Sequence, residues 1–163
     1  YEGEAAVLLE AAAAAHHGPA APYPFSLTIC SGASEADVQL TGECAGWQLE
    51  LPELPAVAAW EVDTAPLAEA VWQAVRAGVP AAEIAARFHQ TLAAITAAVA
   101  ERVAVRTVVL GGGCFQNARL LEGAAAVLTS SGHHVLIPEQ FPANDGGLAA
   151  GQAFAGAWLH PPL

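Results

Sequence analysis

Two short runs of this 163-residue chain carry residue types at spacings that could do chemistry. In the first, residues 108–117, the β-branched Val108 and Val109 lead through Leu110 into Gly111-Gly112-Gly113, and a helix-like stretch follows from Asn117. Glycines tolerate φ > 0 and carry no Cβ, so a ligand can approach their backbone while the first N–H groups of the following helix point at it. Such a strand-turn-helix junction suits an anion, typically a nucleotide phosphate, and equally suits a plain tight turn. In the second run, Pro142-Ala143-Asn144-Asp145-Gly146-Gly147, a carboxylate stands between Asn144 and two glycines where another helix begins. Capping is the commoner role for such a carboxylate and metal binding the rarer one.

Absent residue types narrow the chemistry. The chain has no Lys, and its cations besides His are Arg76, Arg87, Arg102, Arg106 and Arg119. A P-loop, which needs a Lys ammonium on the phosphates, is therefore excluded, as is Schiff-base chemistry on Lys. A dinucleotide fingerprint requires Gly-x-Gly-x-x-Gly, and Gln116 stands where the third glycine belongs. A Rossmann-like reading, with Glu139 as the ribose-binding acid, survives as a minor alternative. The formal net charge of −11 leaves no basic stripe, so nucleic acid is not an expected partner. Cys30, Cys44 and Cys114 show no Cys-x-x-Cys spacing, which points away from disulfides and zinc knuckles and toward a cytoplasmic location. No apolar run approaches the roughly 18–20 residues of a membrane span, and no basic-then-apolar leader is present, so no membrane association is expected. The chain lacks Met and opens inside the motif-like Tyr1-Glu2-Gly3-Glu4, as expected of a piece of a longer protein.

The elements that must position these runs follow from length and pattern. Length, a hydrophobic content of 55% and a mean hydropathy of +0.41 predict one domain with a real core, and the strand–helix alternation of residues 105–158 makes it α/β. Glu2 to about His17 reads as a helix, and residues 18–24, with three prolines, as a connector. Phe25–Cys30, Val38–Thr41 and Trp47–Leu51 are strand candidates that make residues 18–56 a small antiparallel excursion. From Ala56 the texture turns helical, with Leu67, Val71 and Val75 at spacing four before Gly78. The next helix starts around Pro80 and carries Ile84, Phe88, Leu92, Ile95, Val99 and Val103 as one apolar stripe. Residues 105–158 then alternate: strand Val105–Leu110, helix Asn117–Ser130, strand Val135–Ile137 and helix Leu148–Trp158. That order predicts parallel strands, whose carboxyl ends carry both the 111–117 and the 138–147 loops.

Three motifs in this order, Tyr1-Glu2-Gly3-Glu4-Ala5-Ala6, Gly111-Gly112-Gly113-Cys114-Phe115-Gln116-Asn117-Ala118-Arg119-Leu120-Leu121 and Asn144-Asp145-Gly146-Gly147, resemble the C-terminal part of the hydrogenase-maturation carbamoyltransferase family HypF. The resemblance also takes in Trp60-Glu61-Val62-Asp63 and Ile84-Ala85-Ala86-Arg87-Phe88-His89, and so covers essentially the whole chain. It implies that residues 1–163 are the C-terminal portion of a Kae1-like domain, an RNase H-like lobe of the actin, sugar-kinase and Hsp70 (ASKHA) type. It further implies that carbamoyl phosphate and ATP form carbamoyl-adenylate in an upstream domain, and that the Kae1-like domain passes the carbamoyl group to the C-terminal Cys of the partner HypE. The resemblance implies, last, that the thiocarbamate is dehydrated to a thiocyanate, the source of the cyanide ligands of [NiFe]-hydrogenase iron.

Carried over by this resemblance, Gly112 and Gly113 lie against nucleotide phosphates, Gly111 sets the turn and Asn117 donates to phosphate or ribose. Glu2 accepts from ribose hydroxyls, and Asp145 is the carboxylate that holds a divalent metal ion beside the phosphates. The remaining metal ligands, a histidine cluster in the family, would precede residue 1, so this chain alone is expected to be inactive and to bind nucleotide weakly. Cys114 stands where the family pattern has an aliphatic residue, and a buried structural thiol is expected there. His16, His17, His89, His133, His134 and His160 are expected in surface helices, turns or the tail. A module that docks HypE without nucleotide is the reading from another class. Without the remaining domains of the same protein, uncovered apolar surface should favour homo-oligomers.

Overall fold

A computed structural model of the chain describes residues 3–29 and 60–159. In order these form α1 (Glu4–Ala14), β1 (Ser26–Ile29), β2 (Trp60–Asp63), α2 (Ala65–Arg76), α3 (Ala81–Val103), β3 (Thr107–Val109), α4 (Ala118–Ser130), β4 (His134–Leu136) and α5 (Leu148–Leu159). Among the described residues the strands make two separate pairs. β1 runs antiparallel to β2, and β3 runs parallel to β4 with Val108 opposite Val135. The α/β class and the parallel β3-α4-β4 unit agree with the sequence pattern.

Several boundaries and faces differ from that pattern. The first helix begins after Gly3, whose φ of +87° suits glycine, and it ends at Ala14 rather than His17. The helical texture expected from Ala56 gives way at Trp60–Asp63 to a strand, because alternate residues there are half-buried and β1 supplies a ladder partner. The candidate strands Val38–Thr41 and Trp47–Leu51 lie outside the described residues, as does most of the 18–56 excursion. On α2 the inward face is Leu67, Val71 and Ala74, while Val75 is 55% exposed. Strand β3 is shorter than Val105–Leu110, although Leu110 N–H still donates to Leu136 O at 2.9 Å beyond its end.

The largest departure concerns α3. Of the expected stripe only Ile84 is buried, while Phe88, Leu92, Ile95 and Val99 are half-buried and Val103 is exposed. The deepest face is instead Ala85, His89, Ala93, Ala97 and Ala100. Small side chains let helix axes approach: Ala93, Ala97 and Ala100 share a cluster with Ala124, Leu110 and Leu128, and Ala85 and Ala86 share one with Ala13 of α1. At Gly123 on α4 a Cβ would lie 3.6 Å from Ala93 Cβ, so α3 and α4 are close to contact distance there. Leu110 and Leu128 are fully buried, each contributing about 1.5–3 kcal/mol of transfer free energy.

The proline-rich connector is pinned to α3. Tyr23 N–H donates to Thr91 Oγ1 at 2.8 Å, and that hydroxyl donates to Arg87 O at 2.7 Å. The Arg87 guanidinium lies 4.0 Å from the Tyr23 ring centroid, and its Nε donates to Ala21 O at 3.0 Å. The strand pair β3-β4 turns Val108 and Val135 toward α3 and α4, whereas Val109 and Leu136 are 64% and 44% exposed. Among the described residues no helix is long and apolar enough to cross a membrane.

Candidate functional site

Strand β3 delivers the chain to the glycine turn at the carboxyl end of the parallel pair. Gly112 has φ +96° and ψ 167°, a conformation that side-chain-bearing residues rarely adopt. A Cβ on Gly112 or Gly113 would meet nothing within 4 Å, so backbone conformation rather than crowding makes glycine necessary at position 112. The same open space is what a ligand approaching the backbone needs. From Gly113 to Gln116 the chain makes one 3-10 turn, and the leading N–H groups of that turn have no acceptor one turn back within it.

The donors expected from the following helix are otherwise engaged. Asn117 caps α4: its Oδ1 accepts from Leu120 N at 2.8 Å. Glu10 of α1 accepts from Arg119 N at 3.1 Å, placing a carboxylate on the positive end of α4. Two of the leading N–H groups of α4 therefore answer to protein acceptors, which corrects the expectation that they face a ligand. The other arm of Asn117, Nδ2, lies 3.0 Å from His89 Nε2. That histidine is 5% exposed, not superficial as the pattern of α3 suggested.

The second loop meets the first. Gly112 N–H donates to Ala143 O, so the two runs singled out in the sequence touch through their backbones. The 142–147 stretch is folded tightly on itself: a Cβ on Gly147 would lie 2.5 Å from Pro142 O. Asn144, not Asp145, supplies the local cap, accepting through Oδ1 from Gly146 N at 3.0 Å. The Asp145 carboxylate is left exposed at the start of the short Asp145–Gly147 turn. Among the described residues no three His, Cys, Asp or Glu side chains cluster as metal ligands.

Gly111, Gly112, Gly113 and Asn117 thus share one turn, and Asp145 sits on the loop hydrogen-bonded to it. Glu2 lies outside the described residues. Cys114 is exposed rather than buried, because the turn directs Phe115, its neighbour, onto the α3–α4 core. His134 is exposed, and His133 reaches Val105 O through Nδ1 at 2.9 Å. Glu139 is exposed in the 138–147 loop. An apolar cleft of about 620 Å³ lies between that loop and α5, lined by Pro138, Phe141, Ala143, Asn144, Leu148 and Phe154 among others. No residue of the glycine turn lines it, but Ala143, which accepts from Gly112 N–H, and Asn144, which caps the Asp145 turn, both do, so the cleft adjoins the Asp145 loop.

Sequence reasoning missed Glu10 and His89. Glu10 had no signal, being 109 residues from its partner. His89 had one, a single polar residue in the stripe Ala85, His89, Ala93, Ala97.

Comparison with known proteins adds a family. Residues 1–152 match the family described as carbamoyltransferase, Kae1-like domain, second subdomain. The chain is 36% identical over 161 residues to carbamoyltransferase HypF2 of Cupriavidus necator and 40% identical over 111 residues to carbamoyltransferase HypF of Rhodobacter capsulatus. It covers 19% and 14% of those relatives, respectively, and so spans a fifth of their length or less. A crystal structure of full-length HypF in a phosphate- and nucleotide-bound form superimposes with a TM-score of 0.71 at 22% identity, covering 99% of this chain and 18% of that one. The HypF structure from T. kodakarensis gives a TM-score of 0.62 at 21% identity, covering 98% of this chain and 17% of that one.

Proposed function

Because the chain belongs to the HypF carbamoyltransferase family through the second subdomain of its Kae1-like domain, we propose that it is the nucleotide-binding C-terminal lobe of a larger carbamoyltransferase. The lobe is of the RNase H-like, ASKHA type and closes on ATP or carbamoyl-adenylate together with the remaining domains of the same protein. The whole enzyme, in the cytoplasm, uses carbamoyl phosphate and ATP to carbamoylate the C-terminal Cys of HypE. One observation carries this reading: the hydrogen bond from Gly112 N–H to Ala143 O holds the open glycine turn and the Asp145 loop against each other at the carboxyl ends of parallel strands, where ligands of open α/β sheets bind.

Within this proposal each residue has a physical task. Gly111 and Gly112 turn the backbone, and Gly113 leaves room for a phosphate to reach the N–H groups of the 3-10 turn. Asn117 has one Nδ2 hydrogen beyond the one given to His89, and that hydrogen donates to phosphate or ribose. Glu2 accepts from ribose hydroxyls. Asp145 fits a hard divalent cation, since such ions accept one or two carboxylates and complete their shell with water and phosphate oxygens. Bound there with ligands from the rest of the protein, the ion would neutralise phosphate charge.

The test is to titrate the isotopically labelled chain with ATP and follow its backbone amides by NMR. With half a cleft, affinity should be weak, with Kd roughly 0.1–1 mM, and the moving signals should be those of residues 111–117 and 143–147. Gly112→Val, strained at φ +96°, should abolish the response while the remaining spectrum stays dispersed. Movement confined to residues around Glu139 with NAD rather than ATP would favour the Rossmann-like reading. HypE binding with no amide response to nucleotide would favour a docking module.

A further inference from the structure

The buried histidine of α3 and the cap of α4 form one hydrogen-bonded chain whose polarity can be read from end to end. Leu120 N–H needs an acceptor, so the Asn117 atom 2.8 Å from it is Oδ1. The opposite arm of the amide is then Nδ2, which donates to His89 Nε2 at 3.0 Å. A ring nitrogen that accepts carries no proton, so the one proton of the neutral ring sits on Nδ1, where Ala85 O accepts it at 2.8 Å. Both ring nitrogens are thereby occupied by the protein, and at 5% exposure water has little access to replace either partner.

Asn117 is the hinge between the glycine turn and α4. Its N–H donates to Cys114 O at 3.2 Å, closing the 3-10 turn, and its carbonyl accepts from Leu121 N at 3.0 Å, opening the helix. A reversed amide would set Nδ2 against Leu120 N–H, donor against donor, and uncap α4. We propose that His89, as the neutral Nδ1–H tautomer, is a positioning residue that holds the Asn117 amide in its capping orientation and thereby fixes the glycine turn for a phosphate-bearing ligand. Only the ligand rests on the function proposed above; the positioning itself rests on the four groups of the chain.

Two variants and one signature test it. In the labelled wild-type chain, long-range proton–nitrogen correlations should report the Nδ1–H tautomer at His89. His89→Leu keeps apolar volume but removes the acceptor; it should displace the amide signals of residues 111–120 and weaken ATP binding, read at the Gly113 amide, about tenfold. His89→Gln can place its side-chain oxygen near the position of Nε2 and accept from Asn117; it should return those signals and bring affinity to within about threefold of wild type. A residue that merely fills space would give the reverse order, Leu equal to or better than Gln. The Nε2–H tautomer, or a His89→Leu chain with unmoved turn signals, overturns the proposal. Should His89→Leu fail to fold, the tautomer and the Gln variant still decide. Should ATP move no signal in the wild type, the nucleotide reading falls, while the positioning role stands or falls on the tautomer and the turn signals.

Discussion

Helices α3 and α5 are both rich in alanine and treat it in opposite ways. Along α3, Ala85, Ala86, Ala93, Ala97 and Ala100 are buried between α1 and α4. Along α5, residues 151–157 are all exposed, and Leu148 and Phe154 are 62% and 74% exposed. The difference lies in what stands opposite. Gly123 and Ala124 give α3 a face it can approach closely, so small side chains make continuous contact, whereas among the described residues α5 packs chiefly on the loop that precedes it. Apolar composition therefore marks a surface as able to be buried; shape complementarity decides whether it is. One end of the molecule is organised for stability, and the other presents the Asp145 loop and the apolar cleft.

The strongest way to break this division is at Asp145. If the function proposed above holds, Asp145→Ala in the full-length protein should lower carbamoyl transfer to HypE about a thousandfold, the scale of several kcal/mol of charge stabilisation, with carbamoyl-adenylate formation intact. Its urea midpoint should not move. Transfer is followed with radiolabelled carbamoyl, and an undiminished rate would remove Asp145 from the site. Next in size, Leu128→Ala should cost about 2–5 kcal/mol in urea unfolding of the chain, against a change within about 0.5 kcal/mol for Phe154→Ala at the exposed end. Equal losses would show that α5 contributes to the core after all.

The glycines sharpen the comparison within the site itself. Gly147→Ala places a Cβ against Pro142 O and should cost about 1–3 kcal/mol, while Gly113→Ala, which meets nothing within 4 Å, should stay within about 0.5 kcal/mol by the same unfolding measurement. Smallest of all, Cys114→Ala should leave transfer within about threefold and stability within about 0.5 kcal/mol, since the thiol is exposed and, in the function proposed above, the accepting sulfur is the partner's. A folded but inactive Cys114→Ala enzyme would point instead to a covalent carbamoyl-enzyme.

What the sequence disclosed was what local pattern encodes. A β-branched run entering glycines predicts β3, the turn and the helix after it, and the repeat of strand and helix predicts their parallel arrangement, whereas Asn117, read as the first helical residue and a ligand donor, is the cap of α4. Helix faces were less legible, because large apolar side chains dominate any periodicity while alanines define closer contacts. Spacing on α3 therefore drew attention to Phe88, Leu92 and Ile95 and away from the deeper row through His89. The candidate site divides the same way. Gly112 and Asn117 stand within a recognisable motif, whereas the caps supplied by Glu10 and the brace supplied by His89 depend on tertiary contacts that no local window contains.

The antiparallel pairing of Ile29 with Trp60 joins the two ends of the stretch between them, whatever its length. Closing a loop costs conformational entropy that grows only logarithmically with residue number, about 0.6 kcal/mol for each doubling. By that chain-entropy term alone, doubling the number of residues between those two positions would cost less than one buried methyl group contributes. The β1-β2 clasp thus anchors the entry to α2 at an entropic cost that depends only weakly on how many residues separate its two strands.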